Sequence, residues 1–204
     1  LSLRISSNSE GIEPWAFSEG ASPICTAFAL IPDFPYCAAT DFGSMFNAAW
    51  PQVLKKVNET LSIYPRVKGI QVLNDMGDYM FSRYAGEWIP DSPSRRKAIL
   101  DRLQTWNPFS NSSPVEGIQA AISTYYDPDK LISIFVFGDD FTGQSIESVV
   151  DEIDRINVAD ETGRRRVRIH AVAFPVYLSR PSGRVYRFAA LMRELAYRND
   201  GTFV

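Results

Sequence analysis

One stretch constrains the fold of this 204-residue chain more than any other. Leu131 to Phe137 reads Leu-Ile-Ser-Ile-Phe-Val-Phe and stops abruptly at Gly138-Asp139-Asp140. A run so apolar, β-branched and aromatic lacks a polar face. It suits a central parallel strand, which is buried on both sides because helices cover both faces of such a sheet.

The flanking segments alternate between strand-like and helix-like patterns, as a sheet covered by helices requires. The first strand is expected at Tyr36 to Thr40, small and apolar through Cys37, Ala38 and Ala39. Trp50, Val53, Leu54, Val57 and Leu61 recur at three and four residues, the spacing of a helix face. Pro51 is tolerable there only in a first turn. Val67 to Asn74 alternates like a strand, and a hairpin around Asp75 to Asp78 would return through Tyr79 to Ile89 as an edge.

A helix opens at Ser92 or Ser94 with Pro93 near its start, and it carries Ile99, Leu100 and Leu103 on one face. Asn107 to Ser113 breaks the pattern before a helix from Val115 to Tyr125. After the central strand come a helix face of Ile146, Val149, Val150, Ile153 and Ile156, a strand from Val167 to Phe174, and a helix bearing Phe188, Leu191, Met192 and Leu195. A short strand, Gly201 to Val204, closes the domain.

The fold class is therefore α/β and Rossmann-like: a central, mainly parallel sheet with one antiparallel edge strand and helices on both faces. Residues 1–27, rich in Ser, Glu, Gly and Pro without a sustained period, read as an N-terminal arm or linker, and residues 28–204 as one domain. A composition of 45% hydrophobic and 22% charged residues is that of a globular chain able to bury a core of this size.

A net charge of -3 gives no general electrostatic reason to bind nucleic acid or an anionic membrane. The basic cluster Arg164, Arg165, Arg166 and Arg168 follows Asp160, Glu161 and Gly163, as in a solvated turn entering a strand. Cys25 and Cys37 have no metal-ligand spacing and leave both a disulfide and two buried thiols open. No apolar run of about 20 residues crosses a membrane.

In an open parallel sheet, ligands bind beyond the carboxyl ends of the central strands. Three loops matter on that ground: Thr40 to Met45, Asn111 to Pro114 and Gly138 to Gly143. Thr40-Asp41-Phe42-Gly43-Ser44-Met45, Ser112-Ser113-Pro114 and Phe137-Gly138-Asp139-Asp140 follow the order and approximate spacing of the three loops of a metal-ion-dependent adhesion site. In them, and in Asn199-Asp200-Gly201-Thr202-Phe203 leading into a last strand, the chain resembles the von Willebrand factor type A (VWA) domain family.

The resemblance implies a Rossmann-like fold and a non-enzymatic protein-protein interaction module, of the kind found in membrane-anchored bacterial assemblies. It places the chain in the extracytoplasmic part of such a protein, with a protein partner and no membrane insertion of its own. The metal positions it implies are Ser44, Ser113 and Asp139, with Thr40 and Asp41 beside them. The only cofactor implied is a divalent cation, Mg²⁺ or else Mn²⁺ or Ca²⁺.

Thr40 stands at the family's aspartate and Phe42 at its first serine, so the site reads as degenerate: Mg²⁺ wants oxygen ligands in near-octahedral array. The partner surface is then expected from exposed loop residues, Phe42, Phe109 and Phe141, with Asp140. The alternative is a Mg²⁺-dependent phosphate-handling enzyme using Asp139 and Asp140.

Other features carry less. A rival first loop at Asn74-Asp75-Met76-Gly77-Asp78 leaves too short an interval to Ser113. His170, the single histidine, reads as a strand residue with one satisfied nitrogen and not as a catalytic base, and no nucleophile stands near it in motif spacing.

Overall fold

The structure, a computed structural model, describes residues 26–32, 43–106, 113–138, 140–173 and 183–204, with side chains outside 26–32, 43–50 and 183–184. In chain order the elements are β1 (Thr26–Pro32), α1 (Gly43–Ile63), β2 (Gly69–Val72), β3 (Ile89–Pro90), α2 (Pro93–Leu103), α3 (Val115–Tyr125), β4 (Leu131–Gly138), α4 (Ile146–Ile156), β5 (Val167–Ala173) and α5 (Gly183–Arg198).

The five strands form one sheet in the order β3-β2-β1-β4-β5. β1 pairs in parallel with β2 and β4, β4 in parallel with β5, and only the edge strand β3 runs antiparallel. Past β5, Phe203 makes a parallel bridge to Ala171 and begins a sixth position at the opposite edge.

Alternation along β4 divides the interior into two cores. Ile132, Ile134 and Val136 point to a core shared with α3, α4 and α5. Phe135 and Phe137 point to a second core filled by Val53, Val57 and Leu61 of α1 and by Ile99 and Leu103 of α2. The burial expected of Leu131–Phe137 holds from Ile132 onward. Right-handed crossovers account for the two layers: the chain leaves β1 toward β2 and later returns to β4 on the other side of β1, and crossovers in opposite directions put their helices on opposite faces.

Two expectations are corrected. The strand paired between β2 and β4 is Thr26–Pro32, which begins inside the stretch read as an arm, whereas the expected first strand Tyr36–Thr40 lies outside the described residues. The physical reason is pairing: a strand with neighbours on both sides is specified by them, and the small Ala27 and Ala29 hide it in a propensity reading. Pro51 lies inside α1, well past its first turn, where it removes one backbone donor.

The hairpin turn forms where expected, but its return is broken: beyond the Leu73–Tyr79 bridge a 3-10 turn at Ser82–Tyr84 intervenes before the two-residue strand β3. Asn74 Oδ1 accepts from the backbone N–H of Met76 (3.1 Å) and Asp78 (2.6 Å), closing the turn before the Leu73–Tyr79 bridge. Fully buried Gln71 of β2 donates to the carbonyls of Tyr84 (2.9 Å) and Glu87 (2.7 Å), so the excursion to β3 is pinned from within the sheet. Ser92 caps α2, its hydroxyl accepting from Arg95 N–H at 3.2 Å, with Pro93 in the first turn.

Candidate functional site

The strand order reverses between β1 and β4, and the carboxyl ends of these two parallel strands open the crevice where α/β sheets place ligands. Ser113 and Pro114 precede α3, and Asp140 to Ser145 lead from β4 to α4. A backbone hydrogen bond fixes α3 there: Gly117 N–H, an orphan donor of the first turn, donates to the Asp75 carbonyl at 2.7 Å.

Ser113 stands just before α3 and is 6% exposed. Asp140 follows β4 and is 9% exposed. Ser44 lies in the first turn of α1, which begins at Gly43. Thr40, Asp41, Phe42, Phe109 and Asp139 lie outside the described residues.

Phe141 is not the exposed loop aromatic expected of it. It is 1% exposed and belongs to the core under α3, α4 and α5. Its ring faces the Arg187 guanidinium of α5 at 4.9 Å, and the same guanidinium donates to the carbonyls of Gln144 (2.6 Å) and Gly143 (3.3 Å). The β4–α4 loop is thus held down by an apolar anchor and an arginine clamp, and Ser145 caps α4 by accepting from Ser148 N–H at 3.1 Å.

One acidic residue set aside on sequence spacing stands at this end. Asp75, at the carboxyl end of β2, is fully buried; its signal was an acidic residue directly after a strand.

The chemistry available is that of oxygen atoms. Among the described residues, no three His, Cys, Asp or Glu side chains gather to hold a metal ion. His170 lies on β5, its ring stacked on Phe135 with centroids 4.6 Å apart and its Nδ1 3.0 Å from Thr202 Oγ1. Burial, with a smaller contribution from the Arg168 charge, lowers its pKa to about 4. It is therefore neutral at physiological pH, on the face of β5 opposite buried Val167, Ile169 and Ala171.

This arrangement has known counterparts. A von Willebrand factor type A protein from Catenulispora acidiphila superposes with a TM-score of 0.58 at 11% identity, over 88% of this chain and 38% of that one. The fold is that of a VWA domain. The VWA-like fold is met again in proximal thread matrix protein 1 of the mussel byssus (TM-score 0.54, 12% identity, 88% of this chain and 42% of that one). PilB minor pilin from Streptococcus sanguinis gives a TM-score of 0.51 at 9% identity, over 90% of this chain and 57% of that one. The chain thus spans between about two fifths and three fifths of the length of these neighbours. No family profile and no curated sequence matches it.

Proposed function

We propose that this VWA-like domain is a non-catalytic protein-interaction module whose partner docks on the loops at the carboxyl ends of β1 and β4, over a degenerate cation site. The observation that carries the reading is the switch point itself. The strand order opens its crevice where Ser113 and Asp140 stand, and VWA-like neighbours include a thread matrix protein and a minor pilin.

Contact is made by the loop residues that sequence places there, Phe42 and Phe109, and not by Phe141, whose ring is committed to the core. The cation positions are Ser44, Ser113 and Asp139, with Thr40 and Asp41 alongside. A hard cation needs several oxygen ligands and one or two carboxylates, and a phenyl ring at position 42 donates none. Partner binding is accordingly metal-independent.

The enzyme alternative, Mg²⁺-bound phosphate handled by Asp139 and Asp140, has less support, because Asp140 is buried. Two assays test the reading. Hydrolysis of p-nitrophenyl phosphate and of a nucleoside triphosphate with Mg²⁺ or Mn²⁺ should show no turnover that Asp139→Asn abolishes. Cross-linking capture in source cells should recover a partner in the presence of chelator, and Phe42→Ala with Phe109→Ala should lose it. Metal-dependent turnover lost in Asp139→Asn would establish the enzyme instead.

A further inference from the structure

The edge of the sheet beyond β5 carries a set of bonding groups unpaired among the described residues. Ala171 N–H donates to the Thr202 carbonyl at 2.8 Å, Val204 N–H to the Ala171 carbonyl at 3.0 Å and Ala173 N–H to the Val204 carbonyl at 2.8 Å. In a parallel ladder this pattern turns the N–H and C=O of the intervening residue, Phe203, away from β5. Neither group has a hydrogen-bond partner among the described residues. The opposite edge is treated differently: β3 is two residues long and one of them is Pro90, a blunted edge.

Beside Phe203 the outer flank of α5 presents Tyr186, Ala190, Arg193 and Tyr197, spaced by four, three and four residues, so they line one face. All four are exposed, Tyr186 at 64% and Tyr197 at 84%. Between this flank and the terminal strand runs an open groove of about 600 Å³, lined by Ala190, Arg193, Glu194, Tyr197, Gly201 and Phe203 among others. Exposed tyrosines and arginine around a groove are the composition of an interface centre.

We propose that this edge is a homotypic interface, at which a second copy of the chain pairs antiparallel, Phe203 against Phe203, and lays its α5 alongside. In an antiparallel hydrogen-bonded pair each residue exchanges both its N–H and its C=O with the residue opposite. The same residue on a two-fold axis therefore satisfies both free groups of Phe203 at once, and the contact closes on itself. An unrelated strand would pair the edge but leave the tyrosine stripe of α5 uncovered, whereas a copy brings its own stripe to it.

The charges agree with a self-complementary surface. Arg193 makes no ion pair among the described residues, while adjacent Glu194, bonded to Arg198 at 2.6 Å, remains 42% exposed and can accept from a copy's Arg193. The interface is separate from the loop end of the sheet and does not depend on the function proposed for it.

Light scattering on the 204-residue chain, from micromolar to submillimolar concentration, should show a dimer. Tyr197→Glu and Ala190→Arg, both at exposed positions that leave the fold intact, should weaken dimerisation by about ten-fold or more. Hydrogen exchange adds a local readout: the Phe203 amide should be protected in the dimer and exchange freely in Tyr197→Glu. A wild-type chain that stays monomeric with an unprotected Phe203 amide would overturn the proposal and leave this edge to another protein's strand. So would a dimer that both substitutions leave unchanged.

Discussion

At the scale of single residues, two positions tie stability to specific atoms. A Cβ at Gly201 would sit 1.8 Å from the Ile169 carbonyl oxygen, so backbone must move to admit it. Gly201→Ala should destabilise the fold by about 3 kcal/mol or more in chemical denaturation. His170 offers a test in pH. Its folded pKa, lowered to about 4, lies below the ordinary value of 6.5, so between the two the unfolded chain binds the extra proton. Its contribution is fully present above pH 6.5 and is lost as the pH falls toward 4, by about 1–3 kcal/mol. Denaturation of wild type against His170→Phe across that window should show this loss in the wild type only. Phe141 shows the limit of reading residues one by one. Between Asp140 and Thr142 it looks like an exposed loop aromatic, and only a contact from distant Arg187 reveals that it folds inward.

At the scale of elements, Arg96 of α2 holds together parts that sequence distance keeps apart. It donates to the carbonyls of Leu61 (2.5 Å) and Tyr64 (2.8 Å) at the end of α1 and forms a two-pronged ion pair with Asp91 (2.6 and 2.7 Å). The Arg96 guanidinium keeps the Asp91 carboxyl below its ordinary pKa. Arg96→Ala leaves two helix-end carbonyls without this donor and the 11%-exposed Asp91 carboxylate with only the Val67 N–H, and a loss of about 2–4 kcal/mol is expected in thermal or chemical unfolding. Gly77, at φ +90° with Ala120 Cβ only 2.9 Å from where its own Cβ would stand, makes the hairpin turn against α3. Gly77→Ala should cost about 1–3 kcal/mol in the same assay and loosen the site end of α3.

Most elements were legible because their signals are local. Ser92-Pro93 announces the start of α2, and the apolar run of β4 announces a doubly buried strand. β1 was not, since Thr26-Ala-Phe-Ala-Leu-Ile-Pro owes its place to β2 on one side and β4 on the other. Asp75 was set aside on its short interval to Ser113, and its burial, which comes from α3 folding over the turn, is not written in its sequence neighbours.

At the scale of the whole molecule, a five-stranded sheet with β1 and β4 at its centre leaves one crevice end for recognition and, across the sheet, one edge open. No described helix is long and apolar enough to cross a membrane. The function proposed for the crevice needs no bound cation. Isothermal titration of Mg²⁺, Mn²⁺ and Ca²⁺ into the chelator-stripped chain, with Asp139→Ala as control, tests this most directly. No saturable binding up to millimolar metal is expected in either protein. Saturable binding in the wild type, abolished by Asp139→Ala, would contradict it and make the cation part of the partner's contact.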